Sequence, residues 1–155
     1  MKLFQIEEPD GSPLEAEGPG LAVGIAFSPG RGAAVAVAVG GNAEILPGAE
    51  GSPRLALPAH VDEASLAALL LALRERAEKT LARPVTHAVI AIDAPADVMR
   101  PTLTKAASSA GLVLLDVLPS AAAAALAKGA EPGDAPALGA AIKAEDAAAA
   151  LPPAR

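Results

Sequence analysis

Across Ala33 to Val39 the chain alternates Ala and Val, and few patterns restrict a fold more. A period of two places Val35, Val37 and Val39 on one face of a strand, and β-branched side chains suit a pleated, half-buried surface. That face is expected to look inward. Gly40-Gly41-Asn42 follows at once and reads as a tight hairpin turn that needs positive φ, with a returning strand over roughly Ala43 to Pro47. Upstream, Leu21 to Phe27 is a short apolar run broken by Gly24, the pattern of a buried strand where another backbone passes close. Ser28-Pro29-Gly30-Arg31-Gly32 turns the chain between the two. Three antiparallel strands therefore open the fold.

The rest alternates helix and strand. Gly48 to Ala59 reads as a connector with a short extended piece at Arg54 to Leu57. Asp62 is placed to cap a helix whose Leu66, Leu69, Leu70, Leu73 and Leu81 share one face, and Pro84 ends it. Val85 to Ile92 reads as a buried strand and Asp97 to Ala110 as a helix stopped by Gly111. Leu112 to Leu118, nearly unbroken Leu and Val, reads as a strand buried on both faces. Ser120 is expected to cap an Ala-rich helix running through Lys128. The order βββαβαβα predicts an α/β domain with a mixed five-stranded sheet, helices packed against it and right-handed crossovers. Three regions follow: a flexible leader over 1–20, a folded core over 21–129, and a tail over 130–155. The tail, rich in Ala and Pro, is expected to be mostly disordered, with one frayed helical turn near Ile142 to Leu151.

Composition narrows the functions. Only Phe4 and Phe27 are aromatic, and much of the 52% apolar content is Ala, so any core rests on Leu, Val and Ile. The net charge of −6 without a basic cluster speaks against nucleic acid. There is no cysteine, hence no disulfide, thiolate nucleophile or cysteine metal site. The N-terminus lacks a signal peptide's apolar stretch, and no apolar run approaches the roughly 20 residues that span a bilayer. A cytoplasmic location is expected, with no membrane partner.

The same order of elements is the core of the ribonuclease-H-like and actin-like folds. Leu21-Ala22-Val23-Gly24-Ile25, then Gly40-Gly41-Asn42-Ala43-Glu44 and Ala49-Glu50-Gly51, resemble the opening hairpins of DnaK-type heat-shock chaperones. Leu69 to Thr86, Ala88-Val89-Ile90, Arg100, Ala110-Gly111-Leu112, Leu115 and Ala122-Ala123-Ala124-Ala125-Leu126-Ala127 resemble the family run that ends in Asn-Glu-Pro-Thr-Ala-Ala-Ala-Leu-Ala-Tyr-Gly. The leader Leu3-Phe4-Gln5-Ile6-Glu7-Glu8-Pro9 is similar to the start of the HscA type, the branch devoted to iron–sulfur cluster assembly. The resemblance spans about residues 1–129 with gaps, and implies the first lobe of an actin-like ATPase domain.

The resemblance also shows what has been replaced. The family's first turn, Asp-Leu-Gly-Thr-Thr-Asn-Ser, holds phosphates and helps place the metal; the matching stretch here is Ala26-Phe27-Ser28-Pro29-Gly30-Arg31-Gly32. Ala26 loses an oxygen ligand and Pro29 a backbone donor. Where the family has the Glu of Asn-Glu-Pro-Thr, the chain reads Pro119-Ser120-Ala121-Ala122, and Ser120 is no base at neutral pH. Between Pro58 and Val61 the family would insert an upper subdomain with a phosphate-contacting Lys, and after Gly129 it would continue into a second phosphate loop and the other lobe.

No catalytic residue and no metal ligand is therefore expected. Ser28, Gly30, Arg31 and Gly32 remain as a degenerate phosphate loop, in which backbone N–H groups and a guanidinium could meet an anion, against the plainer reading of a hairpin turn with a solvated Arg31. Asp93 ends a strand where related nucleases keep an acid, but lacks acidic partners and reads as a loop carboxylate. His60 and His87 have no partners at ligand spacing, and Ser28, Ser108, Ser109 and Ser120 show no triad spacing. No cofactor is expected, ATP with magnesium being the one ligand the resemblance keeps open. The expected role is a non-catalytic chaperone-family binding or assembly module, linked through the HscA likeness to iron–sulfur biogenesis. Its partner would be a protein: a co-chaperone, a client, the missing lobe or another copy. The alternatives are an ATPase or sensor completed by a second lobe from another chain, and a truncated gene product without selected activity.

Overall fold

β1 (Leu21–Ser28) and β2 (Gly32–Val39) pair antiparallel, Gly24 opposite Ala36 and Ser28 opposite Gly32. The computed structural model describes residues 20–28, 32–46, 54–55, 62–93 and 95–150. β3 (Asn42–Ile45) returns along β2 after the Gly40-Gly41 turn, where both glycines have positive φ, as the turn chemistry predicted. The two-residue β4 (Arg54–Leu55) adds beside Ala33 and Ala34. Next come α1 (Glu63–Leu81), β5 (Val85–Ile92), α2 (Ala96–Ser109), β6 (Val113–Pro119), α3 (Ser120–Leu126) and α4 (Ala135–Ala149). The main strands run in the order β3-β2-β1-β5-β6, and β1, β5 and β6 are parallel. This is the mixed five-stranded α/β sheet the sequence implied, with β4 as a short addition.

One sheet face carries the large residues. Val23, Ile25, Val35 and Ile90 are fully buried there against Leu70 and Leu73 of α1 and Leu103 of α2. Burying each such side chain contributes about 1.5–3 kcal/mol. α1 starts where expected, because the Asp62 carboxylate accepts from the Ser65 N–H while the Ser65 hydroxyl accepts from the Asp62 N–H. Arg74 fixes that helix to the sheet: its Nε donates to the Val85 carbonyl and its Nη1 to the Ala110 carbonyl, both at 3.0 Å, while the Val85 N–H donates to Glu78 at 2.8 Å.

The opposite face is made almost wholly of methyl groups. Ala22, Ala26, Ala34, Ala36 and Ala38 project from β1 and β2 onto Ala137, Ala140, Ala141 and Ala144 of α4. This corrects the expectation of a disordered tail: most of residues 130–155 that are described form a 15-residue helix buried along one side. The reason is geometric. A sheet face of alanine offers no relief for long side chains, but lets a helix of alanine approach until backbones nearly touch, which recovers dispersion contacts. The residues after Ala150 lie outside the described ones, as do the leader over 1–19 and most of the 47–61 connector.

Three smaller expectations are also corrected. Val39 does not look inward but is 68% exposed, because β2 outruns its cover next to the turn. β6 is not buried on both faces: it is the last strand of the sheet, with Val113 exposed and only Val117 buried. Ser120 does not cap α3 with its side chain; Pro119 holds the N-cap position, and the Ser120 Oγ is enclosed without a hydrogen-bond partner.

Candidate functional site

Parallel strands deliver their C-terminal ends to one edge of a sheet. Phe27 of β1 aligns with Ile92 of β5, and Ile92 with Pro119 of β6. The next residues in each strand or turn, Ser28, Asp93 and Ser120, therefore come to the same end of the molecule. Ser28 is buried and faces Gly32, whose φ of 103° is open to glycine alone among common residues. Gly30 and Arg31 of the expected phosphate loop lie outside the described residues. Asp93 is exposed.

One layer inward, the ladder places Ala34, Ala26, Ala91 and Leu118 side by side across β2, β1, β5 and β6. That row has no oxygen-bearing side chain with which to hold a divalent ion. Ala26 itself is 2% exposed and belongs to the methyl layer that meets α4. Among the described residues no group of three or more His, Asp and Glu could hold a metal ion. His87 lies at the other end of β5, where its Nδ1 shares a 2.6 Å hydrogen bond with the Thr86 hydroxyl; His60 lies outside the described residues. Among the described residues, the strand ends offer two hydroxyls and one solvated carboxylate. Such a set can accept or donate hydrogen bonds, and its one carboxylate is not a pair of acids.

The opposite end of the sheet holds features the sequence reading missed. The Glu145 carboxylate of α4 accepts from the Gly40 N–H at 2.6 Å and from the Gly41 N–H at 2.9 Å. Two successive backbone donors around one carboxylate make a small anion cradle, filled here by the chain itself. Beside it an open cleft of about 490 Å³ lies between the β2–β3 turn and the α3–α4 connection, with Leu126, Leu138 and Ile142 among its apolar lining and Asn42 and Lys128 among its polar lining. Glu145 was hidden because its segment read as tail, although the Gly40-Gly41 turn was itself recognisable.

A family model described as Hsp70 protein matches residues 57–142, more than half of the chain. The chain belongs to the Hsp70 family. The match runs from the connector before α1 through β5, α2, β6 and α3 into α4, so it reaches the first half of the helix whose cover of the sheet was not anticipated. The α/β architecture agrees with an actin-like half domain of the Hsp70 ATPase kind. The HscA branch is not distinguished from other Hsp70 types by this match. Among proteins of curated function, none matches the chain. No helix among the described residues is long and apolar enough to cross a membrane.

Proposed function

We propose that this Hsp70-family chain is a binding or assembly module that has given up nucleotide turnover. The observation that carries the reading is the alanine row through Ala26. Where the resembled family keeps a metal-serving Asp, this chain has a methyl group sealed into a layer of methyl groups, and Ser120 stands where the family keeps its Glu. A magnesium–nucleotide complex needs charge compensation and positioned oxygens at these places, and the residues present do not fit it. Any remaining phosphate contact falls to Ser28, Gly30, Arg31 and Gly32. The role left for the scaffold is recognition of another protein, a co-chaperone, client or companion lobe. The similarity of Leu3 to Pro9 to the HscA leader directs the search for that partner to iron–sulfur cluster assembly in the cytoplasm.

Titration calorimetry with ATP and magnesium, run beside a phosphate-release assay, tests the reading. No heat of binding in the micromolar range and no phosphate above the buffer rate are expected. Micromolar binding accompanied by turnover would end the proposal.

A further inference from the structure

Among the described residues the sheet has one long open side. No strand among the described residues pairs with the outer side of β6, and a row of free N–H and C=O groups there would accept a strand from another molecule. Three features interrupt that row. First, the ladder to β5 passes from Leu114 opposite Ala88 to Asp116 opposite Val89, so Leu115 is an extra residue and β6 is bulged, a device that bends an edge away from pairing. Second, the Asp116 carboxylate folds back to accept from the Val117 N–H at 2.8 Å. Third, Arg100 reaches over from α2, and its Nη2 donates both to the Val117 carbonyl at 3.3 Å and to Asp116 Oδ1 at 3.2 Å.

The N–H and C=O of a strand residue project to the same side. Both groups of Val117 are taken by side chains, which identifies that side as the one facing away from β5. Its side chain meanwhile is buried in the core. Beyond it Pro119 has no N–H to offer. From Leu115 to Pro119 the edge is thus bent, occupied or lacking a donor, whereas Val113 at the strand's start keeps an exposed apolar side chain.

We infer that Arg100 and Asp116 form a guard on the β6 edge, whose job is to keep a second copy of this chain from adding its own β6 in register. The pair is partly solvated, with side-chain exposures of 44% and 31%, so as an ion pair it contributes little to folding. Its geometric effect, closing both backbone groups of one edge residue, is what an unguarded strand would lack.

The test uses the full chain. Asp116→Ala should keep its circular dichroism but show, by light scattering, a mass that climbs with concentration toward that of a dimer while the parent stays unchanged. Adding Val113→Lys to that variant puts a charge on the same strand and should restore the parent's mass. Arg100→Ala carries the same expectation and serves if Asp116→Ala is poorly folded. Folded variants that scatter like the parent at every concentration would overturn the inference. So would association that Val113→Lys leaves untouched, or a parent that Val113→Lys itself disperses.

Discussion

Gly24 in the middle of β1 and Ala141 in the middle of α4 meet backbone to backbone: a Cβ built on Gly24 falls onto the Ala141 amide nitrogen. A side chain can swing aside, but a helix backbone cannot give way alone. Gly24→Ala should therefore push α4 off the methyl layer and destabilise the fold by about 1–3 kcal/mol. Urea unfolding followed by circular dichroism measures this; an unchanged midpoint would show that α4 packs elsewhere in solution.

Glu145 ties the same helix to the β2–β3 turn. Glu145→Ala leaves the Gly40 and Gly41 amides to water, because both are exposed, and the loss is expected to be about 1 kcal/mol. Hydrogen exchange separates this from a general weakening: the Gly40 and Gly41 amides should lose protection in the variant while those of β5 keep theirs.

Ala82 closes α1 with φ of 56°, the one non-glycine residue at positive φ among those described, its N–H bonded to the Glu78 carbonyl. An L side chain in the left-handed region costs roughly 1 kcal/mol, and a helix end of this kind prefers glycine. Ala82→Gly relieves that cost at the expense of a freer unfolded chain, so a net gain of up to about 0.5 kcal/mol is expected. A rise in melting temperature of up to about 1–2 °C checks it.

On the proposed reading, an acid placed at Ala26 should not create turnover. Ala26→Asp places a carboxylate among buried methyl groups with no cation beside it, at a cost of several kcal/mol. The variant is expected to unfold at lower urea and to release no phosphate from ATP. Turnover by a folded Ala26→Asp protein would show that the rest of the site is intact.

These particulars show where the sequence was readable. Strands with one large face, such as Val23, Ile25 and Phe27 on β1, and helices with a leucine face, such as α1, declare their partners because large and small residues contrast along the period. Asp62 and the Gly40-Gly41 turn were equally plain, since capping and positive φ demand few residue types. α4 was not, because a segment of mostly alanine shows no contrast between its faces and resembles a low-complexity tail. Yet Gly24 had already called for a close backbone, and that demand was met by a segment more than 100 residues away. The edge position of β6 was unreadable for another reason: Leu114, Leu115 and Leu118 look the same in a central strand, and only sheet order decides their exposure. As for the site, Ala26 and Ser120 could be set against the family's acids from the resemblance in sequence, whereas the row that seals Ala26 appears only once β1, β2, β5 and β6 are in register.

Alanine has no rotamers to freeze, so joining the Ala137, Ala140, Ala141 and Ala144 face of α4 to the sheet costs little side-chain entropy. It also gives the helix no way to measure its own position, since one methyl is much like the next along its length. The gaps at Gly24 and at Gly139, where a Cβ would strike the Ala123 carbonyl, join the Glu145 contact with the Gly40-Gly41 turn as marks by which the helix can tell its proper seat from one a turn away. An otherwise slippery contact is thereby aligned in part by what two residues leave out.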